Sequence, residues 1–246
     1  MKRITHKALL KVGFRLSLLQ STWFEGGMQN IGLSYCLIPG LRAIYSDPDD
    51  LKAAIERYQI PFNTHPFLVG VIAGGVLRLE EQHRPESEIS SYMTNAMSIL
   101  AALGDPFFRS ALPTAVAVTA CLTSIFGGVW AGIITLLLLF NIVHFIIRFF
   151  GVSLGYEEGI DVLKRMATWL SPNRTLRLKT ASALGVGMLL AATVYEFGTP
   201  AIWLWQGLSA SISSLALAFL LIRWKRLQQY AIPVILVLII LIEVSI

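Results

Sequence analysis

Four short polar stretches interrupt an otherwise apolar chain, and their residue types suit the binding of a neutral polar ligand. Asn63-Thr64-His65 offers an amide, a hydroxyl and an imidazole, while Glu80-Glu81-Gln82 offers two carboxylates and a second amide. Gly104-Asp105-Pro106 sets a carboxylate between two helix interrupters, and Asn141 with Arg148 follows in a long apolar run. Planar amides and carboxylates bond adjacent hydroxyls in pairs, and an aromatic face covers the C–H side of a ring, so this set suits a sugar. Each stretch also has a plainer reading. Asn63 and Asp105 can cap helices. Glu80 and Glu81 can form a solvated turn with Arg78, His83 and Arg84. Asn141 can bond the backbone of a neighbouring helix, and His144 can be a satisfied packing residue.

Catalysis by the chain itself finds no support. There is no GxSxG, HExxH or Walker-type phosphate loop, and His6, His65, His83 and His144 pair with no activated serine or cysteine. No metal-ligand spacing, cofactor motif or nucleic-acid module is present. Cys36 and Cys121 both sit in apolar contexts and read as inert thiols rather than a disulfide.

The elements that must position these residues are written for lipid. Of 246 residues 55% are hydrophobic and only 14% charged, with a mean hydropathy of +0.65. A soluble domain carries about 25% charged residues. The expected fold is all-α, a polytopic membrane protein with about five transmembrane helices. No charged residue occurs from Ala111 to Ile147, which is two spans joined at Gly127-Gly128. Further spans read at Ala181–Tyr195, Ala201–Ile222 and Ala231–Ile246. Basic residues at Lys164-Arg165, Arg174, Arg177, Lys179 and Arg223–Arg226 place those loops in the cytoplasm. The N-terminus is then cytoplasmic and the C-terminus periplasmic or extracellular. The net charge of +5 belongs to the cytoplasmic side.

The first hundred residues differ. No secretory leader is expected. Arg3, Lys7, Lys11 and Arg15 recur every four residues, with Leu9, Val12, Leu16 and Leu19 largely off that stripe, as in an interfacial amphipathic helix. Asp47-Pro48-Asp49-Asp50 is a helix start with Asp47 as cap. The run Phe67–Leu77 covers only about 17 Å as a helix, contains Gly70, Gly74 and Gly75, and reads as a re-entrant helical hairpin. Gly151, Gly155 and Gly159 read as close helix contacts. One membrane domain, 1–246, results: interfacial or cytoplasmic helices at 1–60, the hairpin region at 61–110, and transmembrane helices at 111–246.

Five motifs follow one another along the first two-thirds of the chain: WFEGGMQNIG (Trp23–Gly32), FNTHPF (Phe62–Phe67), LEEQ (Leu79–Gln82), GDP (Gly104–Pro106) and FNIVHFIIRFFGVSLGYEEGID (Phe140–Asp161). In this order they resemble the IID component of mannose/fructose/sorbose-type sugar phosphotransferase systems (PTS). The resemblance implies a permease subunit in the bacterial inner membrane, paired with a IIC protein, in a higher oligomer of such pairs. It implies translocation of a hexose-type sugar and its phosphorylation by a cytoplasmic IIB subunit charged by IIA, with no phosphohistidine and no cofactor here. Asn63, Thr64, His65, Glu80, Glu81, Gln82, Asp105 and Asn141 become the candidates for the sugar path. The chain departs from the family pattern where Ser98-Ile99 and Ala102 replace a glycine-proline pair and a glycine, and where Leu112 replaces an arginine before Pro113. Those departures motivate the other reading, a transport-deficient regulatory or assembly subunit.

Overall fold

A computed structural model describes residues 4–196. The expected spans Ala201–Ile222 and Ala231–Ile246, and the basic stretch Arg223–Arg226, lie outside the described residues. Helices account for nearly all regular structure: α1 (His6–Arg15), α2 (Asn30–Ile44), α3 (Pro48–Glu56), α4 (Val69–Glu81), α5 (Glu86–Gly104), α6 (Leu112–Glu158), α7 (Val162–Trp169) and α8 (Pro172–Glu196). Among the described residues the extended structure is limited to isolated bridges, Phe24 to Met28 and Met28 to Phe62.

Local sequence explains the starts. Thr5 caps α1, its side chain accepting from the Ala8 N–H at 3.3 Å. Asp47 caps α3 through the N–H groups of Asp49 and Asp50, with Pro48 at the first helical position. Pro106 has no N–H to give, and α5 passes into a π-helical turn, Asp105–Ala111, before α6 begins.

Packing within the unit Met1–Leu189 centres on α4. Nearly every residue from Val69 to Glu81 is buried, against α2, α5 and above all α6. The glycine-bearing run is therefore one unbroken helix enclosed by protein. Its glycines do not interrupt it. Gly70 and Gly74 let it meet Gly151 and Gly155 of α6 backbone to backbone: a Cβ on Gly74 would strike the Val152 carbonyl, and one on Gly155 the Val71 carbonyl. Gly151 and Gly155 thus make the close contact that their spacing predicts, whereas Gly159 ends α6 at φ +58°.

The path of α6 breaks at Gly128, where φ is +79°. The segments on either side fold back on each other, since Thr123 Oγ1 and Thr135 Oγ1 lie 3.2 Å apart. In a straight helix those residues would be separated by about 18 Å. Both arms expose large apolar side chains, Phe126 at 87% and Trp130 at 76% among them. Among the described residues, the stretch Glu86–Leu190 alone contains a segment long and apolar enough to cross a membrane, and almost none of that segment is buried in protein. Its solvent is lipid. Cys36 is buried and free, its thiol pushed up to about 12 by burial, and Cys121 is exposed and free.

Candidate functional site

The polar residues form two groups, not one. They sit at opposite ends of α4, whose 13 residues measure about 20 Å.

At the N-terminal end, the loop before α4 is stitched to two neighbours. The Gln29 amide donates to the Thr64 carbonyl at 3.1 Å and accepts the Thr64 N–H at 3.3 Å, so the Trp23–Gly32 motif and the Phe62–Phe67 motif form one layer. Gln29 N–H also donates to the Phe62 carbonyl at 2.9 Å. On the other side Thr64 Oγ1 donates to the Met97 carbonyl of α5 at 3.1 Å, and the Asn63 N–H reaches Met97 Sδ at 3.3 Å. Asn63 itself stays exposed, so its amide is free of the capping role open to it in the sequence.

His65 is buried beside Gly104, where an added Cβ would lie 2.7 Å from the His65 Cβ. Its ring stacks on Phe108 with centroids 4.9 Å apart and meets Phe67 edge-on at 5.1 Å. Burial pushes the His65 imidazole down to about 4, opposed by the nearby Asp105 carboxylate. At neutral pH it is a neutral group with one donor and one acceptor. Asp105 follows α5 without capping a helix N-terminus. Its Oδ1 lies 3.1 Å from Arg109 Nε, an ion pair without hydrogen-bond alignment.

The second arm of α6 borders this end. Phe67 stacks on His144 at 4.1 Å and lies 6.1 Å from Phe140. Among the described residues Asn141 bonds no neighbouring helix; its amide donates to the Leu137 carbonyl of its own helix at 2.8 Å. His144 packs as expected, yet its Nε2 is buried with no hydrogen-bond partner among the described residues. Arg148, one turn on, is only 7% exposed, and its Nε likewise has no hydrogen-bond partner among the described residues.

At the C-terminal end of α4, Glu80 and Glu81 are buried, which overturns the solvated turn. Gln82 alone, just past the helix, is exposed. Glu80 accepts from the hydroxyl of Tyr45 at 2.5 Å and from that of Tyr58, with Arg57 Nε 3.8 Å away. Burial and then the bond to Glu80 push Tyr45 up to about 12, and burial with the Glu80 charge raises Tyr58 as well. Glu81 Oε1 accepts from the Tyr156 hydroxyl and the Ile4 N–H, both at 2.6 Å, while Arg78 Nη1 lies 3.1 Å from Oε2. Among the described residues the Tyr45, Tyr58 and Tyr156 hydroxyls and the Ile4 N–H are turned toward the carboxylates, while Arg57 Nε is buried without a hydrogen bond, so most of the capacity of Glu80 and Glu81 is spent within the protein. Sequence reasoning missed Gln29, Tyr45, Tyr58 and Tyr156. Only Gln29 and Tyr156 carried a signal, as members of the motifs Trp23–Gly32 and Phe140–Asp161.

A protein whose described residues are mostly helical, with an apolar helical pair exposed to lipid and polar groups beside it, is a membrane protein of transporter type. The chain belongs to the PTS system mannose/fructose/sorbose family IID component, whose sequence profile it matches over residues 3–246. It is 32% identical over 171 residues to the PTS system mannose-specific EIID component of Escherichia coli K12, covering 67% of this chain and 60% of that relative. It is 28% identical over 205 residues to the fructose permease IID component of Bacillus subtilis 168, covering 80% of this chain and 72% of that one. A solved structure of the mannose transporter ManYZ with microcin E492 superposes with a TM-score of 0.61 at 28% identity, over 79% of this chain and 71% of that one.

Proposed function

We propose that this chain is the IID half of a sugar permease, and that the N-terminal end of α4 is its contribution to the sugar path. The observation that carries the reading is the layer in which Gln29 holds Thr64, leaving Asn63 exposed two residues before neutral His65, which itself lies near Asp105. Sugar hydroxyls leave water only where protein groups replace their hydrogen bonds, because an unpaired buried polar group costs about 1–3 kcal/mol. Neutral His65, the Asn63 amide and the Asp105 carboxylate supply such groups, and Phe67 and Phe108 supply apolar faces. Asn141 borders the same region from α6. Glu80 and Glu81 act through the backbone, holding α4 in register, and Gln82 extends beyond them.

The exposed Asn63 suits a site completed by a IIC partner. In this reading the sugar is a hexose, and IIB, charged by IIA, phosphorylates it on the cytoplasmic side. The product then leaves the transport equilibrium because a phosphorylated sugar no longer fits a site built for an uncharged one. The permease lies in the inner membrane, N-terminus inward and C-terminus outward, with about five crossings. The α4–α5 hairpin serves as its re-entrant element, α1 lies at the interface, and pairs assemble into larger oligomers. The three sections 1–60, 61–110 and 111–246 work as one domain.

The test is hexose uptake by vesicles containing this chain, its IIC and phosphorylated IIB. Uptake that requires this chain supports the reading. Vesicles that assemble both subunits and take up no sugar would assign it instead to a regulatory or assembly role, which the substitutions at Ser98, Ile99 and Ala102 on α5 favour.

A further inference from the structure

We propose that the groove between α1 and α2 binds the phosphate of an anionic phospholipid headgroup. The groove encloses about 270 Å³ and is lined by four cations, Lys7, Lys11 and Arg15 from α1 and Arg42 from α2. Among the described residues no acidic one lines it. None of the four makes an ion pair with a carboxylate among the described residues. Like charges brought together in this way repel, and an anion between them removes that cost.

The arrangement is held by a defect in α2. Pro39 lies inside that helix and has no N–H, so the carbonyl of Tyr35, four residues earlier, lacks its helical donor. Arg15 Nη1 takes that place, donating to the Tyr35 carbonyl at 2.9 Å, and its guanidinium lies over the Tyr35 ring, 4.4 Å from the centroid. Arg15 is thereby fixed at the groove with N–H groups left over for a second acceptor. Guanidinium geometry suits a phosphate oxygen pair.

The surroundings select a lipid rather than a soluble anion. Beside the basic stripe runs an apolar one, Leu10, Phe14 and Leu18, exposed by 40%, 65% and 53%. The Phe14 ring packs edge-on against Phe149 of α6 at 4.9 Å, and Phe149 stacks with exposed Phe145 at 6.2 Å. A continuous apolar surface therefore leads from the rim of the groove to the lipid-facing arm of α6. Inorganic phosphate or an acidic protein surface would use the cations and leave that strip bare. A phospholipid uses both.

The experiment titrates phosphatidylglycerol and phosphatidylcholine onto the purified full-length chain in detergent and counts bound lipid by native mass spectrometry. Phosphatidylglycerol should bind more tightly. The variant Lys7→Gln/Lys11→Gln/Arg42→Gln should lose affinity for it by roughly five-fold per cation, whereas Lys52→Gln/Arg84→Gln should not. Pro39→Ala leaves the charge intact but restores a backbone donor to Tyr35 and frees Arg15, and it should weaken binding too. Equal affinity for the two lipids, or an unchanged triple variant, overturns the proposal. Inorganic phosphate displacing phosphatidylglycerol at millimolar concentration overturns the lipid assignment in favour of a soluble anion. Should the triple variant aggregate, Arg42→Gln at its exposed position gives the same reading, and unchanged affinity there is equally contrary.

Discussion

The Tyr156 hydroxyl donates to Glu81 Oε1 at 2.6 Å, tying the last turn of α6 to the last turn of α4 across 75 residues of sequence. The same oxygen takes the Ile4 N–H, so the segment entering α1 is tied down at the same point. A hydrogen bond to a charged group contributes about 1.5–3 kcal/mol. Tyr156→Phe should therefore lower the unfolding free energy by that order. Combined with Glu81→Gln, it should show a coupling of about 0.5–3 kcal/mol in a double-mutant cycle read by thermal unfolding in detergent. Strictly additive effects would mean that the contact does not hold α4 to α6.

The glycine face of α4 makes a steric prediction. Gly74→Ala and Gly155→Ala each place a methyl group against a carbonyl of the opposing helix, where neither backbone can yield. Both should cost about 1–3 kcal/mol as overpacking, visible as lost membrane-inserted protein. Gly187→Ala, which meets nothing within 4 Å, should be neutral or gain about 0.5–1 kcal/mol from helix propensity. Equal abundance of all three variants would show that α4 and α6 are not in contact.

Alkaline pH should release the Glu80 cluster. Tyr45 is raised to about 12 and Tyr58 is raised too, against a usual value near 10, so the folded state holds protons that the unfolded state gives up. This stability is fully present below pH 10 and is lost as pH rises through about 12. Removing a phenol removes its share, so Tyr45→Phe and Tyr58→Phe should flatten the fall in melting temperature between about pH 10 and 12. Parallel curves for wild type and variants would contradict the assignment.

How much of this was legible beforehand depends on the range of the interaction. The α3 start at Asp47-Pro48 and the break at Gly128 are local, and composition alone shows both. The spacing of Gly151 and Gly155 predicted contact, but their partners on α4 follow only from the fold. Gly70, Gly74 and Gly75 suggest a re-entrant segment because a glycine run in lipid and a glycine face between packed helices look the same in sequence. Glu80-Glu81 misled more deeply. A carboxylate pair flanked by Arg78, His83 and Arg84 has the composition of a turn, and only tertiary structure brings Tyr45, Tyr58 and Tyr156 to it. The nearness of His65 to Asp105 likewise depends on α5 running back along α4.

The division of labour along α4 is tested most directly by hexose uptake per membrane-inserted molecule, with IIC present, in Asn63→Ala, Asp105→Ala and Glu80→Gln. Asn63→Ala and Asp105→Ala should reach wild-type abundance with uptake abolished, and Glu80→Gln should lose abundance while the surviving protein still transports. Wild-type uptake by Asn63→Ala and Asp105→Ala at matched abundance would contradict the placement of the sugar path at that end of the helix.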